Sequence, residues 1–166
     1  MGSVISDSST LIHLAGIGRL DLLKRFFGRI IISPAVWREV VEQGEGRVGA
    51  VEVKNAHHAG WIDIGIPAEE RLTLFLKRDL GDGEAETIAL GLEINADLIL
   101  LDECEARRIA DLYGLSKTGV VGILIRAKRE GHLDSLRTEL DRLKYPGRFR
   151  IEDRLYHRAL AAVGEE

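Results

Sequence analysis

Cysteine is almost absent. Cys104 stands alone in 166 residues, so one chain can form no internal disulfide and supply no thiolate cluster. A reducing, cytoplasmic setting is the expectation, and Cys104 itself is expected to pack in the interior. Long apolar runs are missing too. None approaches the roughly 18 residues of a membrane span. The opening Met1-Gly2-Ser3-Val4-Ile5-Ser6 has no basic region followed by an apolar stretch, so neither a secretory signal nor a membrane role is expected. The five histidines, His13, His57, His58, His132 and His157, show no metal-ligand spacing with acids or cysteine. Each reads as structural or solvated. There is no dividing linker and no internal repeat, so residues 1–166 read as one domain, long enough for a true core.

What is present is 45% hydrophobic and 30% charged, the make-up of a globular protein. The net charge of −4 is unevenly spread. Residues 126–158 hold ten Lys/Arg against six Asp/Glu, a surplus of four, which leaves −8 for the rest. An acidic body with a basic helical end (about 126–163) suits a metal site beside a phosphate-contacting region. The plainer alternative is a solvated helix face.

Short apolar segments alternate with helical patterns. Val4-Ile5-Ser6, Ile30-Ile31-Ile32 and Leu98-Ile99-Leu100-Leu101 read as buried strands. Trp61–Ile64 reads as an edge strand and Ser116–Thr118 as a short one. Helices are expected over 11–27 with a break near Gly16 and Gly18, then from Ser33 to about Glu42, with Ser33 as N-cap and Pro34 at the first helical position. Others follow over 51–59, 84–94, 103–112, 120–129, 134–143 and 151–163. Trp37 and Trp61 read as core or interface anchors. The alternation predicts an α/β fold with a parallel sheet covered on both faces.

Two acids sit just past strands, Asp7 and Asp102. Sites in open α/β sheets form at the carboxyl ends of strands, so both should emerge at one edge. The competing role for each is capping the next helix. Glu84 lies in the first turn of a helix behind the flexible Gly81-Asp82-Gly83, where a carboxylate also suits the helix dipole. Glu86, two residues on, is a second choice on another face. Glu39 borders the buried face of the helix begun at Ser33, with Glu42 as its competitor. Carboxylates about 4 Å apart repel by roughly 4 kcal/mol at an effective dielectric near 20. A cluster of them needs protons or a cation, and all-oxygen ligands favour Mg²⁺ or Mn²⁺. Phosphodiester hydrolysis is the chemistry such a site performs well.

The segments Val4-Ile5-Ser6-Asp7-Ser8-Ser9, Pro34-Ala35-Val36-Trp37-Arg38-Glu39-Val40, Gly81-Asp82-Gly83-Glu84-Ala85-Glu86 and Leu100-Leu101-Asp102-Glu103 together resemble PIN-domain proteins of a VapC-like prokaryotic branch. The resemblance continues through Ala106–Ala110 and Gly114-Leu115 to Thr118–Gly122, nearly the whole chain. It implies a three-layer α/β/α sandwich around a mainly parallel sheet. It implies that Asp7, Glu39, Glu84 and Asp102 are the catalytic, metal-binding acids, with Mg²⁺ or Mn²⁺ as cofactor. The family's third acid is usually Asp, eighteen residues before the fourth; here Glu84 stands eighteen before Asp102, one methylene longer. Ser8 matches the small hydroxyl residue after the first acid, and Glu103 is a candidate outer acid. Arg107, Arg108, Arg126 and Lys128 are candidate RNA contacts. The implied activity is endoribonuclease cleavage by a toxin, with a homodimer and a small antitoxin encoded nearby.

Two other readings compete. One is an inactive PIN-like scaffold or nucleic-acid-binding module, to which the Glu84 departure lends weight. The other is a phosphoacceptor receiver domain. That fold wants an acidic pair near the end of the first strand, whereas Asp7 follows Ser6, and Lys117 is its only candidate lysine.

Overall fold

The computed structural model describes residues 2–166. Five parallel strands form one sheet: β1 (Val4–Ser6), β2 (Ile30–Ile32), β3 (Ile62–Ile64), β4 (Leu98–Leu100) and β5 (Lys117–Thr118), in the spatial order β3-β2-β1-β4-β5. The sheet is α/β as expected, and wholly parallel among the described residues. The chain winds outward from β1 to β3, then returns to add β4 on the other side of β1. The strand order reverses there, and crevices open at the carboxyl ends of the strands flanking such a point.

Helices cover both faces. The strands are three residues or fewer; the inner ones, β1, β2 and β4, are almost entirely apolar, as two-sided burial demands, while the edge strands β3 and β5 carry Asp63, Lys117 and Thr118. Along β4 the side chains alternate. Leu98 and Leu100 face a large core that includes Leu11, Leu14, Val36, Leu124 and Leu140. Ile99 and Leu101 face a smaller one built from Ala85, Ile88, Ala89 and Ala106. The first face carries α1 (Ser8–Gly16), α2 (Asp21–Phe27), α8 (Val120–Arg129), α9 (Leu136–Lys144) and α10 (Asp153–Ala162). The second carries α6 (Asp82–Glu93) and α7 (Cys104–Leu112). Among the described residues no helix is long and apolar enough to cross a membrane.

Three features differ from the sequence reading. A helix over Glu70–Leu76, α5, falls where none was expected; its Leu74 and Phe75 stay exposed, so its sequence has no clean apolar stripe. The helix begun at Ser33 changes form. α3 (Pro34–Trp37) passes into a π-helical turn over Arg38–Glu42, closed by Gln43 N donating to Arg38 O at 2.7 Å. Cys104 is exposed rather than buried, because it opens α7 on the solvent side. α4 (Ala50–His58) and its edge strand β3 fall as read. Trp37 and Trp61 pack partly buried against the large core, Trp37 with its ring 5.0 Å from that of His57.

Candidate active site

β1 and β4 are in register, Ser6 opposite Leu100, and Asp7 N donates to Leu100 O at 3.0 Å. The residues that follow each strand are therefore held side by side. Asp7 does cap α1: its Oδ1 accepts from Thr10 N at 2.9 Å. Capping occupies only one oxygen. Oδ2 is buried and has no hydrogen-bond partner among the described residues, in a residue only 1% exposed. An unpartnered buried carboxylate oxygen is costly, and burial raises the Asp7 pKa to about 7, with the charge of nearby Asp102 adding to the rise.

Asp102 is fixed from both sides. Its Oδ2 accepts from Thr10 Oγ1 at 2.7 Å and its Oδ1 from Val120 N at 2.9 Å, at the start of α8. The capping of α7 expected of Asp102 falls instead to Glu103, which accepts from Ala106 N at 2.8 Å. Thr10 thus bridges the two aspartates, one through its backbone and one through its hydroxyl.

The π-helical turn carries Glu39. Such turns often occur at functional sites, because the extra residue re-aims a side chain. Glu39 Oε2 accepts from Ser8 Oγ at 2.6 Å and Oε1 from Gly83 N at 2.8 Å, tying the turn to α1 and to α6. Gly83 permits this approach: a Cβ there would lie 2.8 Å from both Glu39 oxygens. Gly83→Ala should therefore dislodge Glu39 and lower metal affinity by roughly 10–100-fold, the usual cost of removing a partner that orients a ligand. Manganese titration of the folded variant checks this, and unchanged affinity would show Glu39 to be a bystander.

Glu84, in the first turn of α6, is only partly buried. Burial raises its pKa to about 7; the charge of Glu103, a hydrogen bond with that side chain, and the charge of Glu39 contribute further. Asp7, Ser8, His13, Glu39, Glu84 and Glu103 line one cavity of about 300 Å³. Of the four acids singled out in the sequence, three line this cavity. Asp102 stands beside it, near enough to act electrostatically on Asp7 and His13, and opens onto a neighbouring groove.

Glu86 is turned away. Its Oε2 accepts from Ala35 N at 2.8 Å, at the start of α3. The basic candidates divide as well. Arg107 lines the groove beside Asp102 and donates to Leu101 O at 2.7 Å. Arg108 pairs with Glu105 on the surface. Arg126 lies across the Phe26 ring at 4.2 Å and pairs with Glu130, while Lys128 donates to Asp134 O at 2.6 Å. Both sit in the second half of α8, whose first residue meets the carboxylates, so that helix carries them away from the cavity.

Thr10 was missed, and His13, read from the sequence as structural or solvated, lines the cavity. Thr10 lies three residues beyond Asp7, a spacing that sets it on the same helix face, and His13 lies three beyond Thr10. Burial holds the His13 imidazole below its usual pKa, against the pull of Asp102.

Among the described residues, no Lys or Arg lines the carboxylate cavity. The unpartnered Asp7 oxygen and two acids titrating near pH 7 form a surplus of oxygen donors that suits a hard divalent cation. Among the described residues, no three such side chains already stand arranged as a ligand shell. Nothing among the curated proteins matches the chain. Residues 3–165 match the family model DUF3368, described as a PIN domain. PIN domains are generally nucleases and typically use divalent metal ions. With strand-end acids at the reversal of a parallel sheet and a family match across almost its full length, the chain belongs to the PIN-domain family.

Proposed function

We propose that the protein is an endoribonuclease using Mg²⁺ or Mn²⁺, and that it acts as the toxin of a toxin–antitoxin pair. The observation that carries the nuclease reading is the buried Asp7 carboxylate with one oxygen unpartnered, in a cavity shared with Glu39, Glu84 and Glu103. Asp7, Glu39, Glu84 and Asp102 would hold the metal, directly or through water. The metal, when bound, would make water a nucleophile at neutral pH and offset charge gathering on the scissile phosphate. The chain's own residues have separate tasks. Thr10 orients both aspartates, and Ser8 and Gly83 orient Glu39. Cleavage in line would leave a 5′-phosphate and a 3′-hydroxyl.

The toxin role, the homodimer and the small antitoxin encoded nearby rest on the resemblance to VapC-like proteins. A cytoplasmic location fits a single, exposed cysteine. Incubating the protein with RNA in Mn²⁺ and in excess chelator tests the reading. Metal-dependent fragments with 5′-phosphate ends support it. Intact RNA under both conditions, with no manganese bound, supports the rival reading of an inactive nucleic-acid-binding module. The feature that favours that rival is that, among the described residues, no three acids already stand arranged as a ligand shell.

A further inference from the structure

Beyond Asp102 lies a second depression of about 460 Å³. Its lining carries three basic residues, Arg107 from α7, Lys117 from β5 and Arg150 from the segment before α10, and two acids, Asp102 and Glu152. Val121 and Ile125 of α8, with Phe149 and Leu155, add apolar lining. Lys117 is matched by Asp111. Arg107 directs one nitrogen to Leu101 O and keeps its other donors. Arg150 is exposed and forms no ion pair among the described residues.

Two links join this groove to the carboxylate cavity. Asp102 lines the groove while acting electrostatically on Asp7. Phe149 lines it while resting on His13, which lines the cavity, with ring centroids 4.6 Å apart. Gly119 sits at the junction. A Cβ there would run into Asp102 Oδ1 and come within 3.3 Å of Arg107 Nη1, so a side chain would crowd the passage between them.

We propose that this groove holds a single nucleic-acid strand next to the scissile phosphate. Arg107 and Arg150 take its backbone phosphates, and Phe149 offers apolar surface to an unpaired base. Arginines beside an aromatic and apolar lining suit splayed bases. A duplex keeps its bases stacked inside and would leave that apolar lining uncovered. The choice of which phosphate is cut rests on the nuclease reading above; binding in the groove does not.

Fluorescence anisotropy of the full chain with a labelled single-stranded RNA, without divalent metal, tests this. Arg150→Glu should weaken binding about tenfold or more and make its salt dependence shallower by about 0.7 for each phosphate no longer neutralised. Arg150→Lys should keep the salt dependence. Phe149→Leu should weaken binding about fivefold with the salt dependence unchanged. Wild-type affinity in Arg150→Glu, or tighter binding of duplex than of single-stranded RNA, would overturn the assignment. Strands bound in this groove yet left uncut in Mn²⁺ would sink the nuclease reading and leave the groove standing. Cutting by a protein whose Arg150→Glu variant binds normally would do the reverse.

Discussion

Asp7→Asn should reduce metal-dependent RNA cleavage by about 10²–10³-fold or more, as expected when a preorganised charged group is removed from a reacting centre. The same change should stabilise the metal-free protein. Asn is as good an N-cap as Asp, so the bond to Thr10 N survives. What disappears is a carboxylate buried to 1% exposure with an unpartnered oxygen. Above pH 7, where this group must ionise, its removal should stabilise the fold by about 1–2 kcal/mol. Thermal unfolding and cleavage assays on one preparation separate the two effects. A variant that loses activity because it unfolds would reduce Asp7 to a helix cap, and a variant that still cuts would exclude it from the site.

The second large effect is a steep pH dependence of metal binding. Asp7 and Glu84 both have pKa values raised to about 7. A cation entering their cavity must displace the protons they carry below that pH. Affinity for Mn²⁺ should therefore climb about tenfold per pH unit for each proton displaced, from about pH 5 to pH 7, and level off above. Without metal the same groups act on stability in the opposite sense. Each folded-state pKa lies above the unfolded value, so the folded chain binds the extra protons between them. The stabilisation is complete below about pH 4 and is lost as pH rises through about 7. Saturating Mn²⁺ should offset that loss at neutral pH, by about 2.7 kcal/mol at a hundredfold excess over Kd. Calorimetric titrations across this range check both slopes. Metal affinity that is flat with pH would mean that neither acid is a ligand.

Most of the fold was legible because the strands are short, apolar and bounded by clear helix signals. Val4–Ser6, Ile30–Ile32 and Leu98–Leu100 are runs that only two-sided burial explains. The helix Glu70–Leu76 was not legible, since its exposed Leu74 and Phe75 blur the helical period. The strand-end positions of Asp7 and Asp102 followed from parallel-sheet geometry. The cap of α7 lies one residue past Asp102, because Glu103 is closer to the start of that helix. The π-helical turn under Glu39 left no local signal; it depends on packing against Ser8 and Gly83 across the chain. Charge counting did not show that Arg126 and Lys128 are engaged within the fold. A basic segment gives no indication of which arginines are engaged by neighbours such as Phe26 and Glu130. Arg150, inside the same segment, is left available beside Asp102.

The central claim is that acids from β1, the π-helical turn, α6 and the end of β4 serve one divalent cation. Anomalous diffraction from crystals grown with manganese tests it most directly. The account predicts one strong peak in the cavity lined by Asp7, Glu39 and Glu84, with the unpartnered Asp7 oxygen among its ligands. An empty cavity at saturating manganese, or a peak elsewhere on the molecule alone, would contradict it.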